Sequence, residues 1–131
     1  MKIPFAFCLL AGSSLVKATN FIVNVGGSGK TFVPQTLTIH VGDTVKFVNK
    51  GGVHNVVADD GSFRCARGCD GDGAGGNGGA SSSNWVASVT FTQAATVGYF
   101  CETHGMPGGG MFGTVNVQVP TPVRLQSFTV D

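Results

Sequence analysis

The sequence predicts an all-β fold, a Greek-key sandwich of two sheets, and three observations carry that reading. Apolar residues recur at every second position in four separate runs, which is the period of a half-buried strand. No stretch after residue 18 offers a capped helical repeat. Glycine supplies 21 of the 131 residues, favouring turns and loops over helices.

Taken in order, residues 1–18 read as a secretory signal peptide. Met1-Lys2 gives a positive start, the apolar stretch from Ile3 to Val16 is too short to span a bilayer, and Val16-Lys17-Ala18 offers small residues where a signal peptidase reads. Pro4 and Gly12 suit neither a buried strand nor a helix, and Cys8 lies in this segment, outside any chemistry. The domain then runs over 19–119. Leu37, Ile39 and Val41 alternate with Thr36, Thr38 and His40; Val45 and Phe47 follow a Gly42-Asp43 turn. Trp85, Ala87, Val89 and Phe91 form a third alternating run, and Val115, Val117 and Val119 a fourth. About seven or eight such strands in roughly 100 residues make a two-sheet sandwich. His40, on the polar side of its run, is read as exposed. Residues 68–84, rich in Gly, Ser and Asp, have almost nothing to bury and are expected as a long surface loop. Pro120-Thr121-Pro122 ends the last strand and leaves a tail, 120–131, whose alternation from Leu125 to Val130 suits one further short strand or an untethered end.

Charge excludes several functions. The formal net charge is +1 and no basic run occurs, so neither nucleic acid nor an anionic membrane is expected as a partner. Nothing in the mature chain suggests a membrane span, and a monomer is expected. Gly26 to Thr31 imitates the end of a phosphate-binding loop, but Asn24 stands where its first glycine belongs, and extended Phe32-Val33-Pro34 follows instead of a helix. Gly71, Gly73 and Gly76 match a dinucleotide-binding spacing without the flanking strand and helix. Asp70-Gly71-Asp72-Gly73 hints at a calcium loop, yet Ala74 and Ser81 occupy later ligand positions.

One constellation resists such dismissal. Tyr99-Phe100-Cys101-Glu102-Thr103-His104 ends a strand with a thiol and an imidazole three residues apart. A glycine-rich turn from Gly105 to Gly110 delivers Met111, and a second imidazole, His54, lies far upstream. One Cys, two His and a thioether form the donor set of a trigonal His₂Cys copper site with a long axial Met. Thiolate and thioether suit Cu(I) while imidazole serves Cu(II), so such a set compromises between the two oxidation states. Each residue alone has a plainer explanation, as packed histidine or core sulfur; together those explanations would have to coincide.

Here the chain resembles the cupredoxins, and among them the plastocyanin-like type 1 blue copper proteins. The resemblance spans about Phe21 to Val119 and rests on Phe32-Val33-Pro34, Val41-Gly42-Asp43-Thr44-Val45, His54-Asn55, Tyr99-Phe100-Cys101, His104 and Met111-Phe112-Gly113. Plastocyanins read Cys-x2-His-x4-Met; this chain reads Cys101-x2-His104-x6-Met111, a ligand loop two residues longer. The resemblance favours Met111 as axial ligand because it abuts the Gly113-Thr114-Val115 strand start, Met106 being the other candidate. It also implies that Asn55 ties the two ligand-bearing loops together, and that Phe47, Trp85 and Tyr99 fill the core without a role at the site. Cys65 and Cys69 fall outside the family pattern. With three thiols in the mature chain and Cys101 taken by copper, they are expected as a disulfide at the root of the Gly-rich loop, the alternative being a second metal site with Asp70 and Asp72.

The function this implies is single-electron transfer between transient redox protein partners by a secreted or periplasmic protein that is not an enzyme. Gly105, Met106 and Pro107, uncharged and beside His104, are the expected docking residues. Two rival functions are copper storage or delivery, and a binding module without a redox role whose Gly-rich loop is the working end.

Overall fold

The computed structural model describes residues 17–120. The predicted signal peptide, apart from its last two residues, and the tail beyond Pro120 lie outside the described residues. Ten strands follow one another: β1 (Asn20–Gly26), β2 (Phe32–Val33), β3 (Thr36–His40), β4 (Thr44–Gly51), β5 (Val56–Ala58), β6 (Arg64–Ala66), β7 (Gly68–Cys69), β8 (Val86–Thr90), β9 (Ala95–Met106) and β10 (Gly109–Gln118). They form two sheets, ordered β2-β1-β4-β8 and β3-β10-β9-β5-β6-β7. The two-sheet β-sandwich is the predicted one. No helix among the described residues is long and apolar enough to cross a membrane.

Two of the strand pairings are parallel. β1 pairs parallel with β4, and β3 pairs parallel with β10. Between β1 and β4 the chain crosses to the opposite sheet as β3. That passage across the sandwich returns the chain to run beside β1 in the same direction without a helical crossover.

Alternation fixes what faces the core. Val23 and Val25 on β1, Val45 and Phe47 on β4, Tyr99 and Cys101 on β9, and Val115 and Val117 on β10 are all buried. The expected alternating runs carry these apolar positions inward, except that Val119, expected at the end of the fourth run, lies past β10 and is exposed. Phe32, Phe47 and Tyr99 meet edge to face, with ring centroids 4.8–6.5 Å apart, an arrangement that adds to the area each ring buries. Trp85 is also buried, whereas His40 is exposed. The buried Asp43 carboxylate accepts the N–H groups of His40 and Thr19 and closes the β3–β4 turn.

The Gly-rich segment is more tightly held than a surface loop needs to be. Its root is a disulfide between Cys65 on β6 and Cys69 on β7. Isolated bridges tie Arg67 to Asn77 and His54 to Ser81. The Asp72 carboxylate is taken up by the N–H groups of Cys69, Ala74 and Gly76, and Asp70 by that of Gly78 and by Arg64. These acids staple the segment to itself instead of presenting a calcium loop. The N–H groups around Asp72, that of Ala74 foremost, hold its carboxyl below the usual carboxylate range.

Candidate metal centre

His54, Cys101 and His104 converge at one end of the sandwich, their donor atoms within 4.8 Å of one another. Cys101 Sγ lies 3.7 Å from His54 Nδ1 and 3.8 Å from His104 Nδ1. A sulfur and an imidazole nitrogen bonded to one first-row ion at about 2.3 and 2.0 Å, at a trigonal angle, stand about 3.7 Å apart. The donors are thus spaced as a single metal ion requires, and the two imidazole rings sit 4.9 Å apart, centroid to centroid.

Each donor is delivered by a different local device. Cys101 points inward because it shares parity with Tyr99 on β9, and it is buried, the one free thiol among the described residues. His104 lies three residues along the same strand, which does not end there as expected but continues to Met106 and turns through Pro107-Gly108 into β10. The glycine-rich turn is therefore a hairpin tip. Its register slips: Gly110 pairs with Gly105, but the next pair is Phe112 with Phe100. Four residues of β9, Cys101 to His104, thus stand opposite the single residue Met111. Such a bulge re-aims side chains, and here it sets a fully buried thioether against the segment that bears the thiol and an imidazole. Met106, two residues beyond His104, is instead 64% exposed.

His54 is held from all sides. Its backbone N–H donates to Ser81 and its carbonyl accepts from Ser81 N–H and from the Trp85 indole. Its Nε2 is wedged between two glycines. A Cβ on Gly52 would lie 2.5 Å from that nitrogen, and one on Gly26 would strike both the same nitrogen and the Gly51 carbonyl oxygen. Gly26 and Gly52 also have φ of +68° and +93°, conformations that disfavour other residues. Burial, reinforced by the neighbouring His104, pushes the His54 imidazole below its usual pKa. This favours the neutral ring that ligates metal.

Asn55 links the two ligand-bearing segments. Its side-chain oxygen accepts the Glu102 N–H at 2.9 Å, and its amide donates to the Gly78 carbonyl and to Glu102 Oε1. Arg64 extends this tie, pairing with Glu102 and Asp70 at 2.9 Å each. Arg64 first, and Asn55 after it, hold the Glu102 carboxyl below its ordinary range. The Gly78 N–H first, then Arg64, do the same for Asp70.

Sequence reasoning missed four members of this cradle. Trp85 was expected in the core without a role at the site, yet its indole bonds the backbone of His54. Ser81, in a segment read as loop, pairs with His54. Gly26 and Gly52 gave a weak signal as the glycine pairs Gly26-Gly27 and Gly51-Gly52, but only the fold brings those pairs to one imidazole. Gly105, Met106 and Pro107, the residues expected to dock a partner, lie at the hairpin tip beside His104.

The chain is similar to known copper-binding proteins. The family model for copper binding proteins, plastocyanin/azurin family, matches residues 20–118. The chloroplastic plastocyanin of Chlamydomonas reinhardtii is 40% identical over 88 residues, covering 66% of this chain and 58% of that protein. The plastocyanin of Ulva prolifera is 31% identical over 100 residues, covering 74% of this chain and 98% of its own. Among solved structures, amicyanin from Paracoccus versutus superposes with a TM-score of 0.51 at 28% identity, covering 79% of this chain and 85% of amicyanin.

Proposed function

Because this chain belongs to the plastocyanin/azurin family of copper-binding proteins, we propose that it carries single electrons on one type 1 copper held by His54, Cys101, His104 and Met111. The observation that carries the reading is the pre-built spacing of the thiol and two imidazoles, with a buried thioether opposite them. Bound copper supplies the one-electron couple between Cu(I) and Cu(II). The protein's part is to hold the donors where both oxidation states accept them, so that little must move when an electron arrives. The packed glycines against His54 and the bonds of Asn55 serve that rigidity. Four protein donors leave no open position for a substrate, which supports a carrier over an enzyme. Among the amicyanin neighbours are a reduced Cu(I) form and an oxidised form, each 25% identical to this chain with a TM-score of 0.51. A monomeric protein exported after removal of residues 1–18, meeting redox protein partners at Gly105, Met106 and Pro107 beside His104, completes the reading.

A Cu(II) titration of the reduced-thiol protein followed by visible absorption tests it. One equivalent should saturate an intense blue colour arising from charge transfer out of the Cys101 thiolate. A colourless copper complex, or preference for zinc under copper excess, would contradict it.

Two substitutions probe the individual donors. Met111→Leu should keep copper and colour but raise the reduction potential, because an axial thioether is a weak, long contact. Met106→Leu should leave the potential nearly unchanged, and voltammetry of both variants would reassign the ligand if the pattern reversed. Asn55→Ala strips the Glu102 N–H and the Gly78 carbonyl of their partner. Copper affinity, measured by competition with a chelator, should fall about 10–100-fold, with the fold retained. Unchanged affinity would show that Asn55 plays no part in fixing the donors.

A further inference from the structure

The two lysines flanking the metal end lead us to propose that the partner's docking surface is acidic: Lys30 and Lys50 steer a redox protein's carboxylates to a depression over His54 and His104. This rests on the electron-carrier reading. The depression, of about 410 Å³, is lined by both imidazoles, by Val53 and by Lys30, the remaining wall being glycine backbone. Lys50 stands at its edge, since a Cβ placed on the lining residue Gly27 would come within 2.7 Å of the Lys50 Cβ. Lys30 and Lys50 are exposed, and neither forms a salt bridge among the described residues.

Among the described residues no carboxylate lines this depression. The acids among the described residues lie elsewhere: Asp43 within a buried turn, Asp59 and Asp60 between β5 and β6, Asp72 with backbone N–H groups, and Asp70 and Glu102 with Arg64. A net charge of only +1 therefore conceals an uneven field, positive where the ligand imidazoles come nearest to solvent. Val53, 45% exposed, and Met106 add apolar contact surface around the same end. Glycine walls let a partner's backbone approach closely, and opposite charge raises the encounter rate without demanding a tight complex. The glycine-lysine run that failed as a nucleotide motif thus gains a role, as a low wall carrying one of the two cations.

Stopped-flow oxidation of the copper-loaded Cu(I) protein tests the proposal with two small oxidants of opposite charge. Hexacyanoferrate(III) and tris(phenanthroline)cobalt(III) each accept one electron, leaving Cu(II) protein and the reduced complex. At low ionic strength the double variant Lys30→Glu/Lys50→Glu should react about tenfold more slowly than wild type with the anionic oxidant. It should react faster with the cationic one, and both differences should collapse in high salt while the visible spectrum stays unchanged. Lys46→Glu is the control, four residues back along β4 and about 13 Å from Lys50; it should have a clearly smaller effect than Lys50→Glu alone. Rates for the double variant within about twofold of wild type, or equal effects of Lys46→Glu and Lys50→Glu, would overturn the proposal. Wild-type protein that exchanges electrons with neither oxidant would instead overturn the electron-carrier reading beneath it.

Discussion

Cys101→Ser is expected to abolish the blue colour of the copper-loaded protein completely while leaving the fold intact. A serine hydroxyl is a hard donor that neither ionises at neutral pH nor favours Cu(I), so the charge-transfer band and the compromise between oxidation states are both lost. Cys101 is fully buried on β9, and the exchange of sulfur for oxygen there should cost roughly 1–2 kcal/mol of stability. Thermal unfolding should therefore remain cooperative. Chelator competition should also show copper binding weakened by orders of magnitude. A serine variant that still turned blue would place the colour on another sulfur, and the donor set would be wrong.

Gly26→Ala should have the next largest effect, although Gly26 donates nothing to metal. The added methyl group would collide with the Gly51 carbonyl and with His54 Nε2, and alanine at a φ of +68° costs about 1–2 kcal/mol by itself. His54 must then move, and copper affinity should drop about 100-fold or more, since misplaced supporting groups commonly cost 10–100-fold. Gly42→Ala separates the two causes. Gly42 has a comparable φ of +98° but nothing within 4 Å of its Cβ position. It should lose stability by a similar backbone amount while binding copper normally. If the two variants bound copper equally well, the glycine cradle would have no bearing on the site.

How much of this was legible beforehand depends on the kind of signal. The alternation of Val45, Phe47, Val115 and Val117 is local, and so was readable as strands with those positions inward. Cys101 and His104 announced themselves by spacing within one strand. Pairing direction was not readable, because β1 lies parallel to β4 only by virtue of a passage through the other sheet, which no window of sequence encodes. The same holds for the cradle of His54. Gly26, Gly52, Ser81 and Trp85 are spread over sixty residues of chain and meet only once the sandwich closes. Residues 68–84 read as a loop because they bury little. What the composition hid is that Asp70, Asp72, Gly78 and Ser81 spend their hydrogen bonds on order, against one another and against the ligand-bearing segments.

Whether the site exchanges an electron without surrendering its metal is decided by voltammetry of the copper-loaded protein in the presence of a Cu(I)-selective chelator. One reversible one-electron wave whose size persists over repeated cycles is expected, because His54, Cys101, His104 and Met111 hold the ion in both states. A wave that fades cycle by cycle as the chelator takes up Cu(I) would contradict it and identify a protein that delivers copper.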